Sequence, residues 1–232
     1  MGRSLRRGLS AALWMVGGAL LAYQLWMFGC VVWWTGFNPS TSAFMEDRLE
    51  VLQARDPGAE LKHRWVPYEN ISVHLKRAVV AAEDAKFVEH EGFDWEALQK
   101  AYEKNLKKGK VVAGGSTISQ QLAKNLFLSS RRTPWRKAQE AVITLMLEAV
   151  MSKRRILEIY LNVIEWGEGV FGAEAAARYY FGQSAQALRP VQAARLAAMV
   201  PNPRFYDRHR ATAWLEHKTG IILQRMPAAQ LP

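Results

Sequence analysis

Residues 82–92 read "AEDAKFVEHEG", and they close the apolar run Ala78–Ala82. A run of that kind should continue into a core. Here it meets two adjacent acids, then a Phe and a His. With residues 72–90 taken as one helix, Leu75, Val79, Glu83 and Phe87 recur every four positions, and His90 follows Phe87 by three. Side chains at those spacings share a helix face. Ile71, Ala78 and Ala82 form the centre of the apolar stripe, Glu83 flanks it, and Asp84 projects about 100° away. A carboxylate at the edge of a buried face loses water, which raises its pKa and makes it a better proton acceptor. The same placement suits a residue that closes the stripe with a local hydrogen-bond network. Periodicity alone leaves both roles open.

Downstream, residues 109–125, "GKVVAGGSTISQQLAKN", read as a glycine-rich loop entering a helix. Ser116 or Thr117 serves as N-cap, and Ile118, Leu122 and Leu126 form its buried stripe. Gln120, Gln121 and Lys124 follow within two turns. Amides and an ammonium suit sugar hydroxyls and phosphate, and a helix start attracts anions. The spacing is not that of a P-loop. Read alone, the stretch is also an ordinary capped helix with a solvated polar face.

Residues 133–162, "TPWRKAQEAVITLMLEAVMSKRRILEIYLN", predict two helices. Thr133 is the expected cap of the first, with Pro134 at its first position. Arg136 and Glu140, four apart, share a face with Ile143 and Leu147, so the pair is expected to be partly buried. Ser152 caps the second helix, which carries Ile156, Ile159, Tyr160 and Val163. Lys153, Arg154 and Arg155 crowd its N-terminus, where the macrodipole disfavours cations. They read as a solvated basic turn, or as charges facing an anion or headgroups.

Upstream, no charged residue occurs from Gly8 to Trp34. That run exceeds the roughly 20 residues a bilayer-spanning helix needs. Trp33 and Trp34 close it as interfacial aromatics do, and Arg3, Arg6 and Arg7 precede it, which predicts a cytoplasmic N-terminus. A cleaved signal peptide would carry a shorter apolar region. The expected organisation is a cytoplasmic tail (1–8), a transmembrane signal-anchor (9–34), a linker with a first helix (35–70) and the main outer domain (71–232). In the linker region, "AFMEDRLEVLQAR" reads as a helix capped by Ser42, and "HRWVPYENIS" as an extended or irregular segment. No sustained period-2 alternation occurs, so the outer domain is expected to be mainly α, interrupted at Gly109–Gly115 and Gly167–Gly172.

The net charge of +10 suits an acidic partner. The single cysteine, Cys30, excludes an intramolecular disulfide framework. The five histidines form no His-Glu-x-x-His pair and no cluster, which argues against a zinc site.

These stretches together resemble the peptidoglycan glycosyltransferases, the lysozyme-like membrane enzymes that polymerise lipid II, and in particular their monofunctional branch. The resemblance runs from about Thr41 to Tyr206. Its first motif is Glu83, Asp84, Phe87, His90 and Gly92; its second is Gly114–Asn125; its third is Arg136–Asn162; its fourth is "WGEGVFGAEAAARYYFG", Trp166–Gly182. A weaker fifth element, Ala193–Pro203, carries no transferable chemistry. The bifunctional relatives add a penicillin-binding transpeptidase domain; this sequence holds no Ser-x-x-Lys.

The resemblance implies a mainly α, lysozyme-like, two-lobed helical domain with one N-terminal transmembrane helix, on the periplasmic side of a bacterial inner membrane. It implies an inverting transfer of the polyprenyl-diphosphate-linked chain to the 4-hydroxyl of an acceptor GlcNAc. Glu83 corresponds to the base, and Glu140 to the second important acid. Lys124 and Arg136 correspond to the diphosphate-binding cations, with Ser116, Gln120, Gln121 and Asn125 as sugar and phosphate contacts. Asp84, Phe87, His90, Gly115 and Thr117 shape the site. No cofactor is required, and a divalent cation, Mg or Mn, is compatible with the chemistry. The implied partners are lipid II, the nascent glycan chain, the lipid bilayer, and cell-division or wall-synthesis proteins including penicillin-binding transpeptidases, with no nucleic acid. Lys104, Lys107, Lys108 and Lys110 fall in a region that touches the membrane in this family, where each basic residue contributes roughly 1 kcal/mol near anionic lipid. A lytic enzyme of the same fold and an inactive membrane scaffold are the competing classes. The first would have no use for Lys124, Arg136 and Glu140, and the second none for an intact set of acids and bases.

Overall fold

The computed structural model describes residues 3–110, 114–128 and 134–232. It divides into two compact units, Met1–Asn38 and Pro39–Pro232. The first unit is built on helix α1, Arg3–Trp33. Within it Leu9–Trp33, 25 residues with a mean hydropathy of 1.7, is long and apolar enough to cross a membrane. At 1.5 Å per residue it measures about 37 Å, more than the roughly 30 Å hydrocarbon core.

In the second unit, helix starts are set by side chains that satisfy the free N–H groups of the first turn. Ser42 caps α2 (Ala43–Gln53), Ser72 caps α3 (Val73–Glu83) and Asp94 caps α4 (Trp95–Lys108). Thr117 caps α5 (Ile118–Phe127) in a reciprocal capping box with Gln120. Helix α6 spans Pro134–Val150; its expected cap, Thr133, lies outside the described residues. Ser152 caps α7 (Lys153–Val163). Helices α8 (Ala173–Phe181), α9 (Pro190–Met199), α10 (Pro203–Arg208) and α11 (Ala213–Arg225) complete the unit. Helix α3 packs on α9 and α11, while α5 packs on α6, α7 and α2. Ile71, Leu75, Ala78 and Val79 are buried in the first group, and Ile118, Leu122, Ile143, Leu147, Ile156 and Ile159 in the second. The expected mainly α, two-lobed architecture is the one observed.

Two expectations are corrected. First, residues 72–90 are not one helix: α3 stops at Glu83, and the chain turns through Asp84–Gly92. No proline or glycine stands there to stop it. The cause is tertiary: the Asp84 carboxylate accepts from Ile118 N at 3.0 Å and pairs with His90 Nε2 at 2.9 Å. Those bonds draw Asp84 out of the helical conformation, to φ −161° and ψ 76°. Phe87 is still fully buried, inserted from a turn rather than from a helical stripe. Gly92 ends the turn at φ +89°, and a Cβ there would come within 2.8 Å of Thr144 Cγ2.

Second, the segment around Gly167–Gly172 is a small sheet rather than a simple loop. Strands β1 (Lys62–His63), β2 (Glu165–Gly167) and β3 (Val170–Phe171) pair in the order β1-β3-β2, β1 parallel and β2 antiparallel to β3. Such short strands carry no alternation to read. The irregular segment before α3 is held by Asn162, fully buried, which accepts from Val66 N at 2.9 Å and donates to Val66 O at 3.0 Å.

The basic start of α7 faces anions of its own chain, with Arg154 exposed and Lys153 and Arg155 half-buried. Lys153 pairs with Glu148 at 2.8 Å, Arg155 with Glu158 at 2.7 Å, and Arg154 with Glu69. These carboxylates offset the unfavourable dipole position.

Candidate active site

Four segments converge. The end of α3 supplies Glu83, the turn before α5 supplies Ser116, α5 supplies Gln121, Lys124 and Asn125, and α6 supplies Arg136 and Glu140. Their register depends on how the first motif is tied to the second. Asp84 bonds Ile118 N, and Thr117 Oγ1 donates to the Gly92 carbonyl at 2.6 Å. Gly115 lies 3.0 Å, measured from an added Cβ, from the Leu98 Cα, so any side chain there would push α4 away. With the turn locked to the helix start, Glu83 meets Gln121: Gln121 Nε2 donates to Glu83 Oε2 at 2.8 Å.

A cavity of about 640 Å³ opens beside this pair, a size suited to a small-molecule group. Ser116, Gln121, Lys124, Asn125, Arg136 and Glu140 all line it. A second, smaller cavity of about 230 Å³ lies on the other side, lined by Glu83, Asp84, Gly115, Ser116 and Thr117 among others. Ser116 borders both. Glu83 therefore faces the smaller cavity while Lys124, Arg136 and Lys137 face the larger, which Gln121 also lines.

The cations are held close. Arg136 Nη1 lies 3.7 Å from Glu140 Oε2, and Lys137 Nζ also bonds Glu140. Glu140 is buried and Arg136 nearly so, confirming the partly buried pair expected from their spacing. Lys124 Nζ stands 5.4 Å over the Phe44 ring. Burial pushes its pKa down; Glu140 opposes that, and the neighbouring Arg136 and Lys137 add to it. Lys124, Arg136 and Lys137 stand against the one carboxylate of Glu140, so this part of the cavity wall carries net positive charge, which favours an anion.

Glu83 shows the opposite pressure. Burial pushes its pKa up, with Asp84 adding to the rise; the Gln121 hydrogen bond, Lys218 and Lys124 hold it back. A carboxylate so placed is a stronger proton acceptor than one in water.

Gln120 does not line either cavity. It is buried, and its Oε1 accepts from Thr117 N at 3.0 Å inside the capping box. The Thr-x-x-Gln spacing of Thr117 and Gln120 is itself the signal for this. Asp84, Phe87, His90 and Thr117 are buried around the turn that carries Glu83.

Other cavity residues carried no assignment from sequence. Lys137 lines it beside Arg136, and its place three residues before Glu140 was a readable signal. Glu165 lines the far wall, paired with Arg48 of α2 at 2.8 Å and Arg204 of α10 at 3.7 Å. Those three are distant in sequence, and no local pattern links them.

Comparison with known proteins agrees with the geometry. A family model described as "Transglycosylase" matches residues 49–227. The biosynthetic peptidoglycan transglycosylase of Nitrosospira multiformis is 68% identical over 92% of this chain and 93% of its own length. Those of Methylobacillus flagellatus and Chromobacterium violaceum are 66% identical, over 97% of each chain, and 64% identical, over 92% of this chain and 94% of the relative. With a half-buried carboxylate set across from a cluster of cations, and a sequence that matches these proteins almost end to end, the chain belongs to the transglycosylase family, with the biosynthetic peptidoglycan transglycosylases.

Proposed function

We propose that this chain polymerises lipid II into glycan strands, transferring the polyprenyl-diphosphate-linked chain to the GlcNAc 4-hydroxyl of an acceptor lipid II. The observation that carries this reading is the opposition of Glu83 and the Lys124–Arg136–Lys137 cluster across Gln121 and Ser116. The acceptor sugar enters the smaller cavity and the donor diphosphate the larger. The acceptor O4 attacks C1 of the donor MurNAc. The new C1–O4 bond forms, the C1–O bond to the diphosphate breaks, and the anomeric centre inverts. The hydroxyl proton passes to the Glu83 carboxylate, and the electron pair departs on the diphosphate between Lys124 and Arg136. A diphosphate leaves as a stable anion, so cations take the place of the strong acid that a glycosidase uses. Glu140 holds Arg136 and Lys137 in place for it. Ser116, Gln121 and Asn125 supply the neutral contacts to sugar and phosphate oxygens.

Among the described residues no group of three or more His, Cys, Asp or Glu side chains could hold a metal ion. At the cavity, Glu140 is already engaged by two cations. That donor set does not fit a protein-held Mg or Mn, and no step here runs through one.

The apolar helix Leu9–Trp33 supports a single-pass anchor in the bacterial inner membrane, and Arg3, Arg6 and Arg7 support a periplasmic catalytic domain. The exposed Lys104, Lys107 and Lys108 of α4, with Lys110 just beyond it, support contact of this region with that membrane. Cross-linking of the strands falls to other wall-synthesis proteins, penicillin-binding transpeptidases among them, because the sequence holds no Ser-x-x-Lys.

Labelled lipid II in detergent tests the reading with the wild-type chain and Glu83→Gln. Polymer from the wild type and none from the variant is the expected result. Fragments released from finished peptidoglycan without consumption of lipid II would sink it, as would the absence of product from both.

A further inference from the structure

The third motif carries a tyrosine to which the sequence attached no role beyond its place on the second helix. Tyr160, on α7, is fully buried. Its hydroxyl donates to Gln121 Oε1 at 2.8 Å, and Gln121 Nε2 donates onward to Glu83 Oε2 at 2.8 Å. The main-chain carbonyl of Gln121 is itself used, accepting from Asn125 Nδ2 at 2.7 Å. Tyr160 lines neither cavity. It touches the chemistry only through the Gln121 amide.

We propose that Tyr160 is a positioning residue for the transfer reaction: its buried hydroxyl fixes the Gln121 amide so that an N–H always points at Glu83. This rests on the reading of Glu83 as the base. An amide has a donor end and an acceptor end of nearly the same shape, so packing alone does not choose between them. A phenol whose one acceptor among the described residues is Gln121 Oε1 does choose. With the carbonyl taken, the N–H end must face the carboxylate. That end stabilises ionised Glu83 more than the protonated form, because a bond to the charged carboxylate is the stronger one. Turned the other way, the amide carbonyl would face Glu83 and favour the protonated acid, which cannot accept a proton. The phenol is suited to this task because burial, with Glu83 and Asp84 nearby, pushes its own pKa well above the usual tyrosine value, so it remains a donor. The charged groups acting on Glu83 are Asp84 from its own turn, Lys124 from α5 and Lys218 from α11. Burial raises the Glu83 pKa, and the Gln121 bond is the first of the influences that hold it down. Tyr160 secures that bond.

Tyr160→Phe in the full chain, assayed with labelled lipid II across pH, tests this. The expected result is a kcat lower by roughly tenfold, the equivalent of about 1.4 kcal/mol, with KM little changed. The acidic limb of the kcat profile should move to higher pH. A merely structural role would reduce the folded fraction without moving the limb. Gln121→Met should move the limb in the same direction, and adding Tyr160→Phe to it should move it no further. Placing meta-fluorotyrosine at position 160, a stronger donor of almost the same size, should move the limb to lower pH, and this arm remains informative if Phe impairs folding. A wild-type profile in Tyr160→Phe, or an equal further shift in the Gln121→Met background, would overturn the inference. Normal turnover by Glu83→Gln would instead overturn the base assignment, so the two failures are distinguishable.

Discussion

The Asp84 carboxylate accepts a hydrogen bond from the backbone N–H of Ile118 at 3.0 Å, joining two motifs 34 residues apart. This bond stops α3, caps the start of α5 together with Thr117, and turns Glu83 toward Gln121. Asp84→Ala would leave the Ile118 N–H and the His90 ring buried without their acceptor. The expected loss is about 2–4 kcal/mol, which lowers the melting temperature of the detergent-solubilised chain by about 5–15 °C. Asp84→Asn keeps an acceptor oxygen and should lose less. A wild-type melting curve for the alanine variant would show that the bond contributes nothing.

Glu83 predicts opposite effects on activity and stability. Burial raises its pKa above the ordinary glutamate value near 4.5. A base must be ionised, so polymerisation should fall away as pH drops through the raised value, earlier than an exposed glutamate would allow. For stability, a pKa raised on folding means the folded state binds the proton more tightly than the unfolded chain does. The contribution of this group is then fully present below 4.5 and is lost as pH rises through the raised value. Glu83→Gln, neutral throughout, should melt higher than wild type at neutral pH and lose that advantage in acid. Its polymerisation should drop by at least about a hundredfold. A variant that melts lower than wild type at neutral pH would contradict this account.

These relationships also show what a sequence can carry. Helix starts at Ser42, Thr117 and Ser152 were legible because capping is local, involving residues within one turn. The stop after Glu83 was not, because Asp84 answers to Ile118 and His90 rather than to its neighbours. Strands β2 and β3 were invisible for a different reason: at three and two residues they are too short for a period. Lys124, Arg136 and Glu140 were readable as motif residues, and the structure lines one cavity with them. Glu165 was not, since its partner Arg48 lies 117 residues away. Gln120 looked like Gln121 in sequence, and only the capping box separates the buried amide from the one at the cavity.

Lys124 tests the anion cavity directly. Burial lowers its pKa, with Arg136 and Lys137 adding to the effect against Glu140. The charged ammonium therefore weakens the empty fold, and a bound diphosphate would relieve it. Lys124→Ala should keep or raise the melting temperature while polymerisation falls by about a hundredfold or more. Inorganic pyrophosphate should raise the melting temperature of the wild type, as any ligand selective for the folded state does, and should raise that of Lys124→Ala less. Normal turnover in the variant would remove Lys124 from the reaction.

Glu140 is expected to behave as a structural partner of that cavity as well as a member of it. It is buried between Arg136 and Lys137, and with Lys124 they surround one carboxylate with three cations. Glu140→Gln would leave the cations facing each other. Arg136 is mostly buried and Lys137 half-exposed, so the loss is expected to be about 2 kcal/mol rather than that of a fully buried pair. The repulsion is electrostatic, so part of the loss should return at high ionic strength. Pyrophosphate at low ionic strength should stabilise this variant more than it stabilises the wild type, because the added anion replaces the missing carboxylate charge. Polymerisation should still fall, since Arg136 and Lys137 are no longer fixed toward the departing diphosphate. Equal stabilisation of both proteins by pyrophosphate would mean that Glu140 does not balance these cations.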